Sequence, residues 1–135
     1  MKITNGKILI FFGVIHPLLG ISPFAFGKQF YDFASKYFFK ISEGLLEFPL
    51  FQGQMNYENF SAFWFFYFGL LLIPLGILLN FIESQTKSIP KQFVWSYLII
   101  VLVGVYMIPF SGMTIFMLPH SLYMLNQKLC KTKNI

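Results

Sequence analysis

The chain has 135 residues, of which 56% are hydrophobic, 21% aromatic and only 11% charged. A water-facing globule carries about 25% charged residues, so the composition argues against an ordinary soluble domain and for a short one-domain membrane protein. The formal net charge is +5, yet all ten positive charges are lysines scattered between apolar blocks. Without arginine there is no bidentate reader of phosphate or guanine, and nucleic acid is not an expected partner.

The first apolar block runs from Ile8 to Gly27 between Lys7 and Lys28. Lys2, Lys7 and Ala25 have the outline of a cleavable leader, but the block is long and interrupted by His16, Pro17 and Pro23. Phe24 and Phe26 also flank Ala25, so the block is expected to stay as a first span. Gly6, Gly13, Gly20 and Gly27 recur every seven residues, and His16 lies three after Gly13 and four before Gly20. Positions three, four and seven apart share one helix face, and small residues let membrane helices approach closely. His16 is therefore expected to point at a neighbouring helix.

A long outer connection follows, from Lys28 to Ser61. From Gln29 to Ile41 the residues Phe30, Phe33, Ala34, Tyr37 and Phe38 keep helical spacing, with Asp32, Lys36 and Lys40 on the other flank. That pattern predicts an amphipathic helix lying in the membrane interface. Leu45 to Phe51, with Pro49, is expected to dip onto the bundle. The connection reads as a membrane-resting connector, with a lid over the outward mouth as the alternative. Glu43, Glu47 and Glu58 read as solvated loop charge rather than as an acid–base pair.

The second span, Ala62 to Ile82, has 21 residues and no charge. At about 1.5 Å per residue it reaches roughly 30 Å, the thickness of the hydrocarbon core. It opens on Phe63-Trp64-Phe65-Phe66-Tyr67-Phe68, an aromatic belt for the outer interface. Its small-residue seam is Ala62, Gly69 and Gly76; the register continues to Glu83, and Asn80 lies on the same side. Two seven-spaced seams predict that the first two spans pack through them. Glu83 is expected to pair with Lys87 four residues on. A short connection with Pro90 leads to the third span, Phe93 to Ile108, with Trp95 and Tyr97 near one end and Gly104 deeper in. Pro109-Phe110-Ser111-Gly112 is a tight turn to a shorter fourth span, Met113 to about Leu125, interrupted by Pro119.

With four spans, Lys2, Lys7, Lys87, Lys91, Lys128, Lys131 and Lys133 fall on one side and Lys28, Lys36 and Lys40 on the other. This asymmetry predicts both termini in the cytoplasm. The lone Cys130 then lies in a reducing compartment and forms no intramolecular disulfide.

His16 and His120 each lie eight residues from a span end, about 12 Å deep, and each adjoins a proline, Pro17 and Pro119. A proline frees a carbonyl that a ring nitrogen can bond. Ionisable groups at such depth are functional candidates by default. Three readings stand for the pair: hydrogen bonding to a neighbouring helix, a proton-coupled or polar-ligand pocket, and bis-histidine haem or metal ligation. The third lacks further ligands at motif spacing. His16, His120, Asn80 and Ser111 are the candidate ligand-binding residues. No catalytic signature is present, no metal set is assigned and the cofactor is left open.

Gly6, Gly13, His16 and Gly20, then Ala62-Phe63-Trp64-Phe65 with Gly69 and Gly76, then Met107-Ile108-Pro109-Phe110-Ser111-Gly112 with Leu118-Pro119 together resemble a bacterial family. Its members are small four-helix integral membrane proteins classed as a domain of unknown function. The resemblance covers nearly the whole chain except the outer loop and the lysine tail. It implies the four-span architecture and no activity. His16 falls on a motif position; His120 departs from the apolar or proline residue expected there.

The reading is an all-α, four-span transmembrane bundle with an interfacial amphipathic helix, in a bacterial inner membrane. Its expected role is binding or accessory, with the lipid bilayer and a lipid, quinone or partner membrane protein as partners. A membrane-embedded enzyme using His16 is the alternative, and a small proton-coupled transporter the third.

Overall fold

Proline and glycine punctuate the helices, which make up most of the described residues. A computed structural model describes residues 3–37, 50–51, 54–55, 57–86 and 88–133. They form α1 (Asn5–Gly20), α2 (Gly27–Tyr37), α3 (Tyr57–Thr86), α4 (Lys91–Met107) and α5 (Leu118–Lys133). A two-residue antiparallel ladder, β1 (Leu50–Phe51) with β2 (Gln54–Met55), pairs Leu50 with Met55 and Phe51 with Gln54. Two units result, one of Met1–Ile8 with Ile77–Ile135, the other of Leu9–Gly76.

The second unit begins in α1, and the first apolar block is not one helix. Helix α1 stops at Gly20, because Pro23 has no N–H to give the Leu19 carbonyl. The Ser22 N–H and hydroxyl take that carbonyl instead, at 3.1 and 2.6 Å. Bonds from Phe26 N–H to the Gly20 carbonyl (3.1 Å) and from Gly27 N–H to the Ser22 carbonyl (3.0 Å) close the turn. Gly27 therefore leaves the seven-residue seam and opens α2. Its small size serves the turn, since a Cβ there would meet the Ser22 carbonyl oxygen at 2.7 Å.

Helix α2 carries Phe30, Phe33, Ala34 and Tyr37 of the expected stripe, while Phe38, Lys40 and Ile41 lie outside the described residues. Phe30 packs on Phe66 and Phe33 on Phe63, with ring centroids 4.7 and 5.3 Å apart. Gln29 reaches Glu58 at 3.4 Å. The outer-loop readings at Leu45, Pro49, Glu43 and Glu47 lie outside the described residues.

The glycine seams do meet. A Cβ on Gly13 would lie 2.8 Å from Ile73 Cγ1, 2.9 Å from its backbone nitrogen and 3.1 Å from the Gly69 carbonyl oxygen. A Cβ on Gly69 would strike the Pro17 ring, and one on Gly20 would lie 2.8 Å from Phe65 Cδ1. Helices α1 and α3 thus approach so closely here that hydrogen is the only side chain with room. Ala62, on the same register of α3, is buried.

In the first unit, α4 follows Pro90, whose missing N–H costs nothing at a helix start. Val94, Tyr97, Leu98 and Val101 form its buried stripe. Gly104 leaves space for the Met113 thioether. The Pro109–Gly112 turn is tied by the Thr114 hydroxyl donating to the Pro109 carbonyl at 2.6 Å. The next turn, Met113–Met117, is a π-helix leading into α5. Pro119 cannot bond the Ile115 carbonyl and its ring crowds it; a widened turn just before the proline relieves that clash.

Candidate functional site

His16 sits on α1 where Pro17 and Gly69 bring α1 and α3 together. Its half-buried ring stacks on Phe65 at 3.9 Å and 21°, meets Phe68 edge-on at 5.7 Å, and hydrogen-bonds the Phe65 backbone. The glycine register correctly aims this histidine at a neighbouring helix. The carbonyl it bonds belongs to α3, however, not to the position freed by Pro17. Its surroundings are aromatic, so the ring has the setting of a packing group with one polar tie.

Polar side chains gather instead in the first unit, around the start of α1. The first N–H groups of a helix have no partner within it. Here Glu83, on α3, supplies one: its carboxylate accepts from Gly6 N–H at 2.9 Å, Asn5 N–H at 3.2 Å and Asn5 Nδ2 at 2.7 Å. A carboxylate at this point also opposes the positive end of the helix dipole. Asn5 is 1% exposed, and its Nδ2 makes a second bond to Gln127 Oε1 on α5 at 3.0 Å. One amide thus joins α1, α3 and α5. Beside it the Thr4 hydroxyl donates to Asn80 Oδ1 at 2.6 Å. Gly6 is needed because a Cβ there would collide with the Asn80 backbone. The Asn5 Oδ1 atom is buried with no hydrogen-bond partner among the described residues.

Further along α5, His120 is 5% exposed. Its Nδ1 is 3.2 Å from the hydroxyl of buried Tyr97, with the rings edge-on at 5.6 Å. Ser121, fully buried, donates to the Leu118 carbonyl at 2.8 Å.

Of the four residues singled out from the sequence, Asn80 joins the Thr4 pair and His120 joins Tyr97. Ser111 has a buried hydroxyl with no hydrogen-bond partner among the described residues. Glu83, expected to pair with Lys87, caps α1; Lys87 lies outside the described residues. Among the described residues no three His, Cys, Asp or Glu side chains converge as a metal set.

Residues 1–129 match the model of a family described as a family of unknown function, DUF6463. The chain belongs to that family. No curated protein and no solved structure matches it. DUF6463 membership carries no activity, so chemistry must be argued from the side chains.

Sequence reading missed Asn5, Gln127 and Tyr97 as polar partners. Two signals were present: Asn5 adjoins the seam residue Gly6, and Gln127 lies seven residues after His120, on the same face of α5.

Proposed function

We propose that this DUF6463 protein is a four-span membrane protein, with both termini in the cytoplasm and a binding or accessory role within the bilayer. The observation that carries this is the outward side of α3. Its Phe60–Gln85 stretch is long and apolar enough to cross a membrane, and only 22% of its most apolar window is buried inside the protein. Leu70, Leu71, Ile77, Leu78 and Phe81 are exposed on it. In water so large an apolar face is costly, whereas lipid is its natural solvent. The exposed Ile99, Ile100, Leu102 and Val103 of α4 support the same reading, and α1 and α4 are shorter apolar helices of the same kind. The lysine asymmetry sets the direction.

A binding or accessory role fits the site better than catalysis. His16 spends its ring on a phenylalanine stack and one backbone bond, and Glu83 spends its carboxylate on α1. The test is extraction of expressing membranes with alkaline carbonate, paired with a reporter fused after Ile135. Retention in the pellet with cytoplasmic reporter activity is expected. Release by carbonate overturns the membrane reading, and reporter activity on the far side overturns the orientation.

A further inference from the structure

Three of the four proposed spans are short for a bilayer. Helix α1 has 16 residues and α4 has 17, about 24 and 26 Å at about 1.5 Å per residue. From Gly112 to Gln127 the π-turn and α5 advance 15 residues, about 22 Å at most. The hydrocarbon core of an ordinary bilayer is about 30 Å thick.

The ends of these helices leave no length to add. At one end a polar layer crosses the first unit: Asn5 of α1 bonds Glu83 of α3 and Gln127 of α5, and Thr4 bonds Asn80. This carboxylate, like the exposed Lys91 that opens α4, belongs at a water-facing boundary. At the other end α4 stops at Met107, and the exposed Ile108 and Phe110 begin an irregular turn. Irregular backbone facing lipid has no partner for its N–H and C=O groups, so the turn must stand among the headgroups. Tilt, which averages about 20° in membranes, only shortens the reach.

Helix α3 is longer, but its extra length is aromatic. The Phe60–Gln85 stretch has 26 residues and includes the run Phe63 to Phe68, with Trp64 and Tyr67 exposed, residue types that favour the headgroup zone. Phe63 and Phe66 meet rings of α2. What remains, Gly69 to Ile82, is 14 residues, about 21 Å.

We infer that the lipid this protein fits is a short-chain phospholipid, in a bilayer whose hydrocarbon core is about 21–26 Å thick. Against an ordinary bilayer the mismatch is about 4–9 Å, which the surrounding lipid must meet by thinning. Short chains remove that deformation, so they hold more tightly to the exposed apolar faces, such as Leu18 and Leu19 of α1 and Ile99 and Val103 of α4.

This inference rests on the membrane reading, and its test separates the two. The chain has two tryptophans, Trp64 and Trp95, each 50% exposed. The full-length protein is reconstituted in dioleoylphosphatidylcholine mixed with increasing fractions of one brominated phosphatidylcholine. The brominated lipids are those made from the dimyristoleoyl, dipalmitoleoyl, dioleoyl and dieicosenoyl forms, in order of chain length. Tryptophan quenching against composition gives each lipid's binding constant relative to the dioleoyl form. The expected constant is greatest for one of the two shorter lipids and at least about twofold lower for the dieicosenoyl form. A smaller difference, or a constant greatest for either longer lipid, overturns the short-chain inference and leaves the membrane reading standing. Absence of quenching by all four lipids overturns both.

Discussion

Replacing Gly69 by alanine measures how closely α1 and α3 must approach. The new methyl would strike the Pro17 ring and lie 3.0 Å from the Pro17 nitrogen and 3.1 Å from His16 Cβ. These atoms are backbone or tied directly to it, so no rotamer change relieves the clash and the helices must separate. Overpacking of this kind costs about 1–3 kcal/mol. Alanine in place of glycine inside a helix returns about 1 kcal/mol, leaving a net loss of roughly 0–2 kcal/mol. Gly112→Ala is the internal control. Its backbone is already helical, at φ −57° and ψ −25°, and its Cβ would find only Phe116 Cδ2, at 3.9 Å. There the substitution should stabilise by about 0.4–1 kcal/mol through the unfolded chain. The two variants should therefore move in opposite directions in a reversible SDS or thermal unfolding titration of the detergent-solubilised protein. Gly69→Ala melting at or above Gly112→Ala would refute the close-crossing argument.

Asn5→Ala leaves the Gln127 carbonyl and one Glu83 bond without a donor, and should cost about 1–3 kcal/mol. Amide exchange at Gly6, whose N–H bonds Glu83, should stay protected in this variant and lose protection in Glu83→Ala; equal protection in the parent and Glu83→Ala would deny the cap. His16→Gln removes the stack on Phe65, worth about 0.5–1.5 kcal/mol, and keeps a donor for the backbone. A loss above about 3 kcal/mol in the same titration would mean that the ring does more than pack. Gly104→Ala meets only the movable Met113 thioether, so its stability should stay within about 1 kcal/mol of the parent; a larger loss than Gly69→Ala would contradict that.

The apolar blocks, their breaks and the glycine register were legible along the chain, because each depends on residues within a few turns of one another. A seven-residue repeat specifies a helix face without any knowledge of the neighbour. Gly13, Gly20 and Gly69 accordingly lie where the spacing put them. Gly27 shows the limit: its spacing matched, but Pro23 and Ser22 ended the helix first.

Polar pairing was decided by tertiary structure. The Glu83 carboxylate serves the start of α1, 77 or 78 residues distant. Asn5 reaches Gln127 across 122 residues, and Tyr97 reaches His120 across 23. A long polar side chain carries no local signal of which partner it takes, because several are chemically equivalent. The choice falls to whichever unsatisfied group the packed helices bring within about 3 Å. The sequence by itself determined which helix faces are small enough to touch, and only the packed helices decided which polar groups meet there.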